Sequence, residues 1–254
     1  FGIPCMLNSL VLVLNSSIGK FVLSYLGMMD AVGILAIASV LASAFSVIPQ
    51  AFNTFWSPFV YKNHKTEKII ISQMHDYIMI VSIVIVVDIV LLQDVLFLIV
   101  GDSYSSAQSY FMLLMLAPIQ SLICETTSYG IMLKNKPYLL IISTVLGLVI
   151  CFVLTIYLAS FLGALGAAAA VAFSSCFIGC LTSILGCRLY NTVLSIARTV
   201  MGAAGIIIIC LMNTIVFNDV FTRSVICIAC LIIELIIYRK QIYSIVSNIK
   251  SPSI

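Results

Sequence analysis

Four ionisable side chains of this chain lie in long apolar runs: Lys20, Asp88, Glu125 and Glu234. Each costs a few kcal/mol near a bilayer centre unless it is paired or faces water, so chemistry would concentrate at these positions. Lys20 is followed by Phe21-Val22-Leu23 and lies about 25 Å along a helix counted from Ile3. It would either present a cation to a phosphate or acidic sugar in a cavity, or snorkel to the outer surface. Glu125 sits in Cys124-Glu125-Thr126-Thr127-Ser128, with Gln120, Ser121, Thr127 and Ser128 marking a polar face and Pro118 above it. Held away from water, its carboxylate would retain a proton more tightly and serve ion coupling; alternatively it is a buried acid paired with a lysine or hydroxyl. Asp88, between Val86-Val87 and Ile89-Val90, invites the same two readings, whereas Glu234, five residues before Arg239, is expected at the interface. Finally, Gln50, Asn53 and Thr54 follow Pro49 at helical spacing. A proline-loosened helix with polar side chains is one way to build a transporter's substrate site, although such residues also bond neighbouring helices together.

These residues must be positioned by elements that live in lipid. The chain has 254 residues, 63% of them hydrophobic and 8% charged, and its mean hydropathy is +1.24. That excludes a secreted domain, a disordered chain and a peripheral protein, and a net charge of +3 with no basic stripe argues against nucleic acid as a partner. Unalternated apolar runs exclude a barrel and leave a polytopic all-α membrane protein. At about 20 apolar residues per span, eight candidates emerge: 3–25, 31–59, 77–98, 107–131, 138–159, 163–186, 199–217 and 224–238. The second is the longest, and Pro49 and Pro58 are expected to kink or stop it. In the sixth, Gly163, Gly166, Ala167–Ala170, Ser174, Ser175 and Gly179 form a small-residue packing seam. The last is short, so Arg223 and Arg239 are expected to snorkel.

Strict alternation puts Lys62, Lys65, Lys68, Lys134, Lys136, Arg188, Arg198, Arg239, Lys240 and Lys250 on one side, ten of the twelve basic residues. Only Lys20 and Arg223 fall on the other. The positive-inside rule makes the first side cytoplasmic, both termini included. Between Lys62 and Tyr77 the sequence predicts a cytoplasmic helix extending the third span, with His64 and His75 solvated. The nine cysteines read as reduced packing residues; Cys227-x-x-Cys230 and Cys176-x3-Cys180 lack a nearby histidine or acid to complete a metal set. No phosphate loop, nucleophile elbow or paired carboxylates point to an enzyme, and no cofactor is expected. The opening Phe1-Gly2-Ile3-Pro4 has neither initiator methionine nor signal peptide, so the chain is expected to be a piece of a longer protein.

Several stretches resemble, in order and spacing, the carboxy-terminal half of the polysaccharide flippases, whose superfamily includes the multidrug (MATE) exporters. Phe1-Gly2-Ile3-Pro4 resembles the Tyr/Phe-Gly-x-Pro that begins the family's seventh helix. Gly19-Lys20-Phe21-Val22-Leu23 with Tyr25-Leu26-Gly27 stands where the family has an Asp-Arg pair, then a leucine and glycine. Gly101-Asp102-Ser103-Tyr104-x-x-Ala107 resembles the Gly-x-x-Tyr-x-x-Ala before the tenth helix, and Asn135-Lys136 the basic turn before the eleventh. Leu162-Gly163-Ala164-Leu165-Gly166-Ala167-Ala168 resembles the turn into the twelfth. The chain departs at Gly19, which replaces the usual aspartate, and at Cys151 and Thr155, where flippases often carry asparagines.

The resemblance implies a MATE-like fold of fourteen helices in two lobes. Residues 1–190 would form the carboxy-terminal transport lobe (helices seven to twelve), and 191–254 two additional helices and a cytoplasmic tail. It implies flipping of an undecaprenyl-pyrophosphate-linked oligosaccharide across the cytoplasmic membrane, with an amino-terminal lobe of the same protein, membrane lipid and a glycan polymerase complex as partners. Lys20, on the family's arginine position, would face the cavity, with Gln50 and Asn53 as further substrate contacts and Glu125 and Asp88 as ion-coupling acids. The alternatives are a cation-coupled drug exporter of the same fold, which would need an acidic cluster, and a non-transporting scaffold subunit. The charge map makes a direct prediction. Alkaline phosphatase fused after Asp102 is active and after Asn135 is inactive; the reverse result overturns the orientation.

Overall fold

The computed structural model describes residues 2–101, 104–215, 220–239 and 241. Phe1, Asp102, Ser103, Lys240 and Lys250, which entered the sequence reading, lie outside the described residues. Every described element is a helix: α1 (Gly2–Tyr25), α2 (Met29–Ala44), α3 (Val47–Asn63), α4 (Lys68–Val100), α5 (Ser105–Thr127), α6 (Tyr129–Leu133), α7 (Tyr138–Leu162), α8 (Ala164–Leu189), α9 (Ile196–Ile215) and α10 (Val220–Ile237). Among the described residues, seven stretches are long and apolar enough to cross a membrane, with α2 and α3 counting together over Met29–Asn63. The chain is a multi-pass α-helical membrane protein. The eighth apolar segment is also helical, as the 18-residue α10.

α5 is the hub. It packs against α2, α3, α4, α8 and α9, and residues on every side of it are buried, among them Tyr110, Phe111, Met112, Leu113, Leu114 and Met115. A helix that is apolar all round belongs inside a bundle, and the peripheral helices show the contrast. α1 buries only Asn15, Gly19, Val22 and Leu23, and its Ile3, Met6, Val13 and Phe21 are exposed. Around α5 the helices form two groups. α1, α7 and α8 pack together on one side, while α4, α9 and α10 do so on the other.

Small residues set the close approaches. Gly163 (φ 57°) makes the turn between α7 and α8, a backbone conformation that L side chains avoid. On α8 the expected seam is buried at Gly166, Ala167, Ala168, Ala170, Ser174 and Gly179. It extends to Gly186, where an added Cβ would come within 2.1 Å of the Thr127 carbonyl oxygen; one added at Gly130 would come within 1.9 Å of the Gly186 oxygen. The α6–α7 turn is a Schellman motif. Asn135 (φ 52°) takes the left-handed position, with Lys136 N–H donating to Ile131 O (3.0 Å) and Asn135 N–H to Met132 O (3.0 Å).

One expectation needs correction. The long second span does break, but at Phe45–Ser46, upstream of Pro49. Pro49 then falls in the first turn of α3, where a missing N–H costs nothing because those donors have no partner within the helix. Pro58 is accommodated inside α3. The segment before the third span is, as expected, a helical extension of it. α4 runs unbroken for 33 residues, about 50 Å at 1.5 Å per residue, so it outreaches a hydrocarbon core about 30 Å thick.

Steric contact at Gly186 generates a stability prediction. Gly186→Ala meets backbone that cannot swing aside, so overpacking should cost about 1–3 kcal/mol and lower the melting temperature in detergent. Gly33→Ala, with nothing within 4 Å of the added carbon, should leave it unchanged or raise it. Equal melting temperatures for the two variants would contradict the close α5–α8 packing.

Candidate functional site: a polar cavity within the helix bundle

A cavity of about 660 Å³ opens between α1, α2, α3, α5, α7 and α8. It lies toward the end that carries Lys62, Lys134, Lys136 and Arg188, since its walls use the start of α7 (Leu140, Thr144), the end of α3 (Ser57, Tyr61) and the later turns of α8 (Gly179, Thr182). The lining mixes apolar residues, among them Leu12, Leu114, Leu140, Val171 and Ile178, with a series of amides and hydroxyls. α1 contributes Asn8, Asn15 and Ser16, and α2 and the break after it contribute Ser39, Ser43 and Ser46. α3 adds Asn53 and Ser57, α5 adds Gln120, Ser121 and Glu125, and α8 adds Ser175 and Thr182. Glu125 is the only charged side chain among the described lining residues.

Glu125 and Asn53, 72 residues apart in the chain, meet across the cavity wall. The Asn53 amide donates to Glu125 Oε2 and also reaches the Tyr129 hydroxyl at 3.3 Å. The acid is thus paired with an amide, not with the lysine or hydroxyl anticipated as its alternative partner. An amide N–H can stay bonded to the carboxyl oxygen in either protonation state, so the pair leaves a carboxyl group that can gain or lose a proton beside the cavity.

The other anticipated site residues do not join them. Lys20 is half-buried, makes no ion pair among the described residues and does not line the cavity; the turn before it, at Gly19, packs toward Leu35 and Ala167. Gln50 is exposed and outside the lining, whereas Ser46, Asn53 and Ser57, seven and four residues apart, line the cavity. Asp88 is exposed on the outward side of α4 and is not in the cavity.

The asparagines of α1 escaped the sequence reading. Thr144 donates to Asn8 Oδ1 (2.9 Å), and Ser174 donates to Asn15 Oδ1 (2.9 Å), so both carboxamides tie α1 to α7 and α8 while edging the cavity. A seven-residue spacing between two asparagines in an apolar helix, which puts them on one face, was the available signal. The serine ladder Ser39, Ser43, Ser46, then Asn53 and Ser57, was another.

A second set of polar residues holds α4, α9 and α10 in place, and it reverses two expectations. His75 is fully buried, with Nδ1 2.7 Å from Thr126 Oγ1 and Nε2 3.0 Å from Thr199 Oγ1. It is a link between helices, not a solvated loop residue. Arg223 is 3% exposed and pairs with Asp94, which also accepts from Gln108, so it does not snorkel. Glu234 is buried at 5% exposure, lying against Gly205, where any Cβ would collide with its carboxyl oxygen. Asp76–Arg198 (3.2 Å) and the mutual amide bonds of Gln93 and Asn213 (2.8 and 3.3 Å) complete the set. All nine cysteines carry free thiols.

No known protein family, no curated protein and no solved structure matches this chain.

The cavity's wetness can be measured. In a cysteine-free background, Ser121→Cys, on an exposed cavity-lining position of α5, should react readily with a water-soluble maleimide, whereas Val84→Cys, on the outward face of α4, should stay protected. Equal protection of both would show that the cavity is closed to water.

Proposed function

We propose that the protein moves a lipid-linked oligosaccharide across the cytoplasmic membrane by alternating access, as one lobe of a flippase. The observation that carries this reading is the cavity lining. It combines many hydroxyl and carboxamide groups with a single carboxylate and no cation among the described lining residues. Side chains that both donate and accept suit the many hydroxyls of a sugar, and a volume of about 660 Å³ is within the usual range for small-molecule sites. Along the chain, the motifs that resemble the polysaccharide flippases point the same way.

In this reading the chain is the carboxy-terminal half of a MATE-like, fourteen-helix transporter. Residues 1–190 form its transport lobe, 191–254 its additional helices, and an amino-terminal lobe is its partner. The basic end of the bundle is cytoplasmic, so the cavity faces the leaflet on which the lipid-linked sugar is built. Asn53 contacts the glycan, and Glu125, beside it, takes up and releases the coupling proton. Lys20 stands beyond the cavity toward the other end and meets the pyrophosphate once the lobe has opened outward.

A single carboxylate in the cavity is also the one feature that would suit a cationic drug, so the experiment separates the two substrates. In cells lacking the full-length gene, surface glycan should be lost and should return with the wild-type protein. Glu125→Gln should lose the dependence of export on the proton gradient, and Asn53→Ala should lower export about ten-fold, the effect of one lost hydrogen bond to a charged or multiply bonded group. Lys20→Ala should abolish most export and Lys20→Arg retain it. Drug sensitivity with intact surface glycan would overturn the flippase reading in favour of an exporter.

A further inference from the structure

A second concavity lies at the same end of the molecule as the basic connectors, but outside the cavity described above. It is a groove of about 720 Å³ between the start of α9 and the end of α10, lined by Ser195, Arg198, Ile236, Ile237, Arg239 and Gln241. We propose that this groove binds the phosphate headgroup of an anionic glycerophospholipid, with the acyl chains lying along α10.

The two arginines are held differently. Arg198 is fixed from behind, where its guanidinium pairs with the fully buried Asp76 at 3.2 Å and its backbone carbonyl accepts the Tyr238 hydroxyl at 3.0 Å. The side chain nevertheless remains 23% exposed, so part of the guanidinium still faces the groove. Asp76 offsets one positive charge, and Arg239, exposed and without an ion pair among the described residues, supplies the net charge. Guanidinium groups present several donors in a plane and suit phosphate oxygens. The Oε1 of Gln241, another lining residue, is buried with no donor among the described residues, and a headgroup hydroxyl or ammonium would supply one.

The choice of a lipid over a free anion rests on what lies below the arginines. Ile236 and Ile237 form the groove's apolar wall, and Ile228, Ile232 and Ile236 continue it down α10 at four-residue spacing, 49%, 50% and 60% exposed. A charged head above an apolar rail at a helix end matches a phospholipid at the edge of the bilayer. Basic pockets between membrane helices are used in this way.

The test is native mass spectrometry of the full chain released from detergent with phosphatidylglycerol or phosphatidylcholine. Wild-type protein should retain phosphatidylglycerol in preference to phosphatidylcholine, and millimolar inorganic phosphate should not displace it. Arg239→Gln, at an exposed side chain with no ion pair among the described residues, should weaken retention about five-fold, the equivalent of about 1 kcal/mol for one basic side chain. Arg188→Gln removes a charge from the same end but outside the groove and should change nothing. Three outcomes would overturn the proposal: equal retention of the two lipids, equal loss in both variants, or displacement by inorganic phosphate.

Discussion

Hydrocarbon offers a polar side chain no water, and the arrangement of this protein follows from that constraint. Each polar residue in a span must find a partner inside the protein, open onto a cavity, or reach the membrane edge. Most of the buried polar residues use the first two options, in distinct places. On the α4, α9 and α10 side the partners are other side chains: Asp76 with Arg198, Asp94 with Arg223, Gln93 with Asn213, and His75 between two threonines. On the α1, α7 and α8 side, amides and hydroxyls pair with one another and with a cavity.

These two solutions have different mechanical consequences. Ion pairs and buried amide pairs fix the relative positions of helices, since breaking one leaves an uncompensated group in a low dielectric. α4 is therefore held at one end to α9 through Asp76 and to α5 through His75, and at the other end to α10 and α5 through Asp94. The cavity side is held instead by hydroxyls that can exchange partners with a ligand at little cost, and by close backbone contact at Gly130, Gly166 and Gly186. A rigid scaffold on one side and an exchangeable polar surface on the other are joined through α5.

Among the described residues, Asp88 of α4 and Glu234 of α10 are acids that make no ion pair. Asp88 faces outward from α4 at an exposed position, so it must meet lipid headgroups, water or another protein surface. Glu234 is enclosed, and Gly205 is the residue that makes room for it.

The amino-acid order by itself determined the class of the protein, the positions of its helices and the residues worth suspecting. Hydropathy records how each stretch partitions between water and lipid, and that property is local. It sufficed to place α1, α4, α5, α7, α8 and α9 close to their observed bounds and to single out Asn53 and Glu125. What it could not determine was which side of a helix looks inward, because that depends on packing between segments far apart in the chain. Tertiary structure alone brought Asn53 to Glu125, turned Gln50 and Asp88 outward, left Lys20 beyond the cavity wall, and buried His75, Arg223 and Glu234. The break at Phe45–Ser46 shows the reason at its smallest scale. Pro49 signalled a disturbance in the helix, but only the packing of α2 and α3 around α5 decided where the chain would turn and which polar residues that turn would bring to the cavity.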